Sequence, residues 1–439
     1  MSQNLAIYGG TPVILPGSIR AWPPIDESDD KLVLAALHQE NQTRGNYTRQ
    51  LQSEFGEFNG NQFVYFTCSG TAALHMCIAA CGIGAGDQVI TTAYTWPSSA
   101  SCIIHNMAVP VFVDIDPETF LMDPGKIEAA ITPRTKAILP VHLHGLCCDM
   151  DPIMAIAKKH NLKVIEDACQ AHNALYKWKK AGTFGDCAAF SFNQNKCLTS
   201  GEGGLFVCND LATYKRGCQL VEFIDRQSVI DDPAFHDYGM AHKYCNNEVT
   251  AGFALAEFHK FDLYYHGLLK NARTLDAKLR QAALPALRLP YEPKNCTHIW
   301  YNYTLRVDFD AIGMGGRTIA EKVRFRNAVC EALKAEGVTA SSWLRCITPQ
   351  LPVFRAKNVY GGGYPWAVPG ADVGVDYSPE KFPVAMRMLY SHIAIAQCLR
   401  YPNTPELASQ VGDAIIKVFS QLNEIDPARI EAILQRRQG

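Results

Sequence analysis

The chain has 439 residues, 48% hydrophobic and 19% charged, with 41 Lys plus Arg against 43 Asp plus Glu for a formal net charge of −2. That balance is too apolar for a disordered chain, and too even in charge for a protein whose main partner is nucleic acid. At about 100–200 residues per domain, the length predicts two to three domains, or one large α/β core with a smaller lobe.

The opening stretch, LAIYGGTPVI and the residues after it, has no basic cluster leading into an apolar core, and no run of about 18 uncharged apolar residues occurs anywhere. A cytoplasmic protein without a membrane span is the expectation. The 16 cysteines are scattered through the chain instead of forming a spaced framework, which predicts reduced thiols.

From about 60 to 210, short apolar runs alternate with helix-like stretches. Strands are expected at 63–66, 88–92, 109–113, 136–141, 162–166, 187–192 and 204–208. Their β-branched and aromatic content, with little polar alternation, predicts a mostly parallel sheet buried on both faces. After the first strand comes Thr67-Cys68-Ser69-Gly70-Thr71, a small-residue turn into an apolar helix. Backbone N–H groups and a hydroxyl at a helix start suit a phosphate, although a plain helix cap has the same composition. The glycines at 82, 84 and 86 do not fit G-x-G-x-x-G and follow a helix instead of a strand, which argues against a dinucleotide site.

The 88–92 strand runs into Ala93-Tyr94-Thr95-Trp96-Pro97-Ser98, where an aromatic ring at a strand's C-terminal edge could stack on a flat heterocycle or simply join the core. His142, His144, Cys147 and Cys148 lie close together, but no second ligand pair completes a metal spacing. They read as buried packing residues, and no metal site is expected. Asp151 is expected to cap the next helix, with Pro152 at its first position and Ile153 onward continuing it. The strand after that helix ends in Glu166-Asp167. Neighbouring residues on a strand face opposite ways, so one acid is expected at a site and the other in the structure. Between 191 and 204 a polar loop surrounds Lys196, with glycines that allow close backbone approach. A lysine held this way can form a Schiff base with a carbonyl.

Beyond the core, a helical stripe over about 248–283 is long enough to bridge two lobes, and a Pro-rich break at 284–295 marks a boundary. A strand at 300–307 and helices at 319–336 and 405–422 make a smaller α+β lobe. The expected division is 1–284, comprising an N-terminal arm, the large α/β domain and the bridging helix, and 285–439, the small C-terminal domain.

A phosphate cradle, an aromatic platform, a strand-end acid and a Schiff-base lysine, in that order, are the parts needed to hold pyridoxal 5′-phosphate. The blocks SGTAAL, GAGDQVITTAYTW, PVFVDIDPETF, ITPRTKAILPVHLHG, VIEDACQAH, GTFGDCAAFSFNQNK and TSGEGG together resemble the DegT/DnrJ/EryC1/StrS family of sugar aminotransferases, within the aspartate-aminotransferase type of fold. The resemblance implies that Lys196 binds the cofactor aldehyde and later shuttles the proton, that Asp167 pairs with the pyridine nitrogen, and that Gln170 sits near the ring's 3-hydroxyl. It further implies phosphate contacts from Ser191, Gly70 and Thr71, stacking by Trp96, and a homodimer with sites at the subunit interface. Where the family commonly has Asn before the aromatic Tyr244, this chain has Lys243; it, Asn246 or Asn247 is expected at the phosphate of the neighbouring subunit.

LAIYGGTPVI and TSGEGG resemble the subgroup that aminates keto-cyclitols of the scyllo-inosose type from L-glutamine or L-glutamate. Nucleotide-linked ketosugars are the alternative acceptors. Trp343 falls roughly where the family lines the acceptor pocket. The family's dehydratases typically have His at the lysine position, so Lys196 argues against that activity, and no appended DNA-binding module suggests a non-catalytic regulator.

Overall fold

The computed structural model describes residues 4–221 and 242–438. Two helices, α1 (Glu27–Leu37) and α2 (Asn46–Asn59), precede the core. The core strands are β1 (Phe63–Thr67), β2 (Gln88–Thr92), β3 (Val109–Val113), β4 (Thr135–Leu139) and β5 (Lys163–Asp167). A two-stranded hairpin follows, β6 (Leu175–Tyr176) and β7 (Lys179–Lys180), then β8 (Cys187–Ser191) and β9 (Gly204–Cys208). Helices α3 (Gly70–Ala80), α4 (Ser98–His105), α5 (Met150–His160) and α6 (Leu211–Cys218) connect them.

Seven of these strands form one sheet in the order β1-β9-β8-β5-β4-β2-β3, parallel throughout except for β9, which runs antiparallel to both its neighbours. All five residues of β2, β3, β8 and β9 are buried, as runs without polar alternation require. The C-terminal ends of β1, β2, β5 and β8 therefore meet at one edge, where ligands of such sheets bind.

One expectation is corrected at α5. Asp149, not Asp151, occupies the N-cap, and the helix begins at Met150. Asp149 is engaged by the Tyr176 hydroxyl at 2.6 Å, while Asp151 pairs with Lys177 on the surface. Neither acid caps the helix through its side chain: Asp149 makes no cap hydrogen bond, and Asp151 lies in the first turn.

Helix α7 (Glu248–Ala282) spans about 52 Å at 1.5 Å per residue. Its buried first residue, Glu248, accepts from the backbone N–H groups of Gly45 at 2.7 Å and Tyr47 at 2.9 Å, so a carboxylate of one helix terminates the orphaned donors of α2. Further along, Asn271 donates to the carbonyls of Leu399 at 2.9 Å and Asn403 at 2.7 Å. Helix α7 thus touches α2 beside the large sheet at its start and the loop around Leu399–Asn403 further along.

That lobe contains β10 (Leu287–Arg288), β11 (Cys296–Thr297), β12 (Tyr303–Val307), β13 (Ala340–Ser341) and β14 (His392–Ile395). Its helices are α8 (Ile319–Ala335), α9 (Pro352–Arg355), α10 (Pro383–Ser391), α11 (Pro405–Phe419) and α12 (Pro427–Gln438). Its sheet has the order β10-β12-β14-β13, and β11 pairs with β6 of the core. The N-terminal arm docks here: buried Glu336 accepts from Ala6 N at 2.8 Å and Val13 N at 3.1 Å and pairs with Lys417 at 2.9 Å. The described helices include none long and apolar enough to cross a membrane.

Candidate active site

The turn after β1 is built from short hydrogen bonds. Thr67 Oγ1 donates to Ser69 O at 2.9 Å, and the Ser69 hydroxyl accepts from Ala72 N at 3.1 Å, capping α3. Ser69 is thus the plain cap, and Gly70 and Thr71 present the first turn of the helix to a cavity. Gly70 lies directly against the end of β8: a Cβ there would fall 2.7 Å from Ser191 Cβ and 3.1 Å from Ser191 Oγ. Only a hydrogen fits in this concavity, where unpaired helix N–H groups and a serine hydroxyl converge. Thr71 Oγ1 donates to Ser98 Oγ at 2.9 Å, tying in the start of α4, and the preceding loop presents Trp96 with 55% of its surface exposed.

At the end of β5 the two acids separate as the strand period requires. Glu166 faces inward, fully buried, and accepts from Gly182 N, Phe184 N and Gly185 N, each at 2.7 Å, and from His142 Nε2 at 2.9 Å. The other ring nitrogen of His142 accepts from Cys148 N at 3.1 Å, so both ring nitrogens serve packing. Asp167 faces the cavity and accepts from Ser99 Oγ at 2.6 Å and Cys169 N at 3.1 Å; Ser99 is itself braced by Thr95 at 2.8 Å. Three residues on, Gln170 accepts from His144 N through Oε1 at 2.9 Å, which fixes its amide with Nε2 as the remaining donor.

The Lys196 loop is laced to the strands beside it. Phe192 N donates to Gly203 O at 2.8 Å, Gln194 N to Gly201 O at 2.7 Å, and Lys196 N to Asn193 O at 2.8 Å. From far along the chain, Trp22 Nε1 donates to the Lys196 carbonyl at 3.1 Å, and Gln194 Nε2 donates to Trp22 O at 3.0 Å. The Lys196 ammonium lies 4.9 Å from the Tyr301 ring centroid. Burial and the Lys196 charge push the imidazole of His172, behind the loop, down to about 3.

These groups line one cavity of about 990 Å³. Gly70, Thr71, Trp96, Asp167, Gln170, Ser191 and Lys196, chosen from the sequence, all reach it, as does Trp343. Lys243 does not: it is exposed, with φ +58°, outside the cavity's lining. Next to it, Tyr244 holds the cradle from behind, its carbonyl accepting from Cys68 N at 2.8 Å and its hydroxyl meeting His75 Nδ1 at 2.9 Å. Sequence reasoning missed Trp22, Tyr301, Asn302, Glu202 and Arg400, which complete the walls. The aromatic-proline step at Trp22-Pro23 was the one local sign of an ordered turn there.

Residues 23–364 match the sequence model of the DegT/DnrJ/EryC1/StrS aminotransferase family. The chain belongs to that family. It is a pyridoxal-phosphate-dependent aminotransferase with the fold of that class, a large mostly parallel sheet joined to a C-terminal α/β region. This aminotransferase is 34% identical over 329 residues, 71% of its length and 77% of the relative's, to an L-glutamine:2-deoxy-scyllo-inosose aminotransferase of Micromonospora echinospora. It is 36% identical over 290 residues, 63% of its length and 76% of the relative's, to the GDP-perosamine synthase of Caulobacter vibrioides. A solved aminotransferase from Psychrobacter cryohalolentis matches it with a TM-score of 0.75 at 27% identity, covering 92% of this chain and 100% of that one.

Proposed function

We propose that this aminotransferase moves the amino group of L-glutamine or L-glutamate to a keto-cyclitol of the scyllo-inosose type by ping-pong transamination. The observation that carries the reading is the meeting, in one cavity, of a strand-end carboxylate, a helix-start cradle and a loop lysine. The similarity to the deoxy-scyllo-inosose enzyme supports the acceptor class. So does the rest of the lining, where Asn193, Gln194, Ser341, Thr339, Gln397 and Glu202 offer donors and acceptors suited to ring hydroxyls. A nucleotide-linked ketosugar is the second reading, favoured by the similarity to GDP-perosamine synthase.

The cradle fits a phosphate, since Gly70 leaves room beside Ser191 that a side chain would fill. In this reading Gly70, Thr71 and Ser191 hold the cofactor phosphate, Trp96 covers a ring face, and the Gln170 amide reaches the 3-hydroxyl. Asp167, oriented by Ser99, faces the pyridine nitrogen and favours its protonated form by opposite charge. When bound, pyridoxal phosphate supplies an electron-poor ring that accepts the electron pair released as a substrate Cα–H bond breaks. Lys196 would hold the cofactor aldehyde through Nζ, and the Lys196 amine, freed when the donor is bound, would take the substrate Cα proton and deliver it to the receiving carbon.

The reading extends to a homodimer with shared sites, in which Lys243 of one copy serves the phosphate in the other, and to a division of the chain at 284/285. The sixteen free thiols suit a reducing, cytoplasmic compartment. The test is a panel of keto-cyclitols and nucleotide-linked ketosugars with glutamine or glutamate as donor. Amination of the cyclitols is expected; turnover of the nucleotide-linked set alone would overturn the acceptor assignment.

A further inference from the structure

The carbonyl of Lys196 is held from outside its own loop. It accepts from the indole N–H of Trp22 at 3.1 Å and, among the described residues, from no other donor. The same tryptophan grips the loop a second time, its own carbonyl accepting from Gln194 Nε2 at 3.0 Å. Its ring reaches the wall of the reaction cavity, with the Tyr264 ring of α7 edge-on at 5.0 Å and the Arg400 guanidinium 5.2 Å from its centroid. On either side of Trp22 the arm is fixed to the body of the protein. Arg20 N donates to Asn403 Oδ1 in the C-terminal lobe at 2.9 Å. Lys260 Nζ of α7 donates to Pro24 O at 3.2 Å while pairing with buried Asp29 and Glu257.

A lysine side chain is a flexible four-carbon stem, so the reach of its amine depends on where its backbone is held. In transamination that amine must meet the cofactor aldehyde and then a substrate proton, and a misplacement of about 1 Å at such a step costs about 10²-fold in rate. A reacting group on a loop needs supporting contacts more than one on a strand does. We propose that Trp22 is a positioning residue for Lys196. Its indole N–H fixes the lysine's carbonyl, and with it the origin of the reacting amine, and so acts on rate and not on substrate binding. The contribution belongs to the N–H and not to the bulk of the ring. This assignment rests on the reading of Lys196 as the reacting amine.

Two changes at position 22 remove the N–H and keep an aromatic ring. One is Trp22→Phe; the other is site-specific incorporation of β-(3-benzothienyl)alanine, a near-isostere with sulfur in place of the N–H group. In single turnovers of the holoenzyme with L-glutamine, the rate at saturation is expected to fall about fivefold in both, the worth of one neutral hydrogen bond, while the half-saturating concentration stays within about twofold. Hydrogen exchange is read on the apoprotein, where no reaction contributes. Peptides covering 193–200 are expected to exchange about fivefold faster, with those of α7 unchanged. Thermal melts identify a folding defect in the Phe variant, and the isostere carries the test if Phe unfolds. A folded isostere with the wild-type rate, or with wild-type exchange over 193–200, would overturn the assignment. So would a raised half-saturating concentration at an unchanged rate, which marks lost substrate binding. These results leave transamination intact. A holoenzyme in which borohydride labels a lysine other than Lys196 would overturn the reading of that lysine, and the positioning assignment with it.

Discussion

Gly70→Ala tests the cradle through packing alone. The new methyl would stand 2.7 Å from Ser191 Cβ, 3.0 Å from Cys169 Sγ and 3.1 Å from Ser191 Oγ, whereas ordinary contact begins near 3.4 Å. Ser191 cannot retreat, because it closes a central strand and pairs with Gly204, which itself meets the Ser69–Gly70 backbone without room for a Cβ. The start of α3 must therefore move by several tenths of an ångström. Overpacking of this kind costs about 1–3 kcal/mol of stability. The larger effect falls on the ligand, because the displaced N–H groups form the anion site. Losing one charge-assisted hydrogen bond to phosphate weakens binding by about 10- to 100-fold. The assay is a titration of the apoprotein with pyridoxal phosphate, read by absorbance, beside a thermal melt. Gly70→Ala combined with Ser191→Gly removes two of the three close contacts, so it is expected to regain stability without regaining affinity. A single variant that melts and binds like wild type would refute the cradle.

Asp167→Asn keeps Oδ1 as the acceptor for Cys169 N and turns an NH2 donor towards the Ser99 hydroxyl, which must then accept, so it is expected to fold with a modest loss of stability and the rate reduced by about 10²- to 10⁴-fold; a near-normal rate would mean another group faces the ring. Glu166→Gln is expected to do the reverse, lowering stability by about 3–5 kcal/mol as three backbone donors and His142 lose their carboxylate, while any folded fraction keeps its chemistry. Acid should destabilise the protein well before its carboxylates titrate. Burial holds His75 down to about 4, and His298 and His392 down to about 3. Below about pH 6.5 the unfolded chain binds protons that these rings refuse in the fold, so stability falls as pH drops from 6.5 towards 4. Urea midpoints at pH 7.5, 6 and 5 are expected to decline in that order; a constant midpoint would show that these rings titrate normally.

Much of the core was legible because its strands are short β-branched or aromatic runs between clear helices, and six of the seven strands begin and end within a residue of their expected bounds. Asp167 and Lys196 were legible by position, at the end of a buried strand and inside a polar loop closed by glycines. The reversal of β9 was not, since a strand buried on both faces has the same composition in either direction. Trp22, Tyr301 and Arg400 escaped for a different reason. They lie 174, 105 and 204 positions from Lys196 in the chain, and only the fold of the arm and the C-terminal lobe over the Lys196 loop brings them there. Likewise, the N-terminal arm precedes the large domain in sequence but is held by Glu336 of the other lobe.

The central claim is chemical, that the amine of Lys196 carries the cofactor. Reducing the loaded protein with borohydride fixes any carbon–nitrogen double bond as a stable pyridoxyl-amine, and peptide mass mapping then locates it. The account predicts one pyridoxyl group, on Lys196, and none on the Lys196→Ala protein. A label on another lysine, or no label on a protein that has bound pyridoxal phosphate, would contradict it.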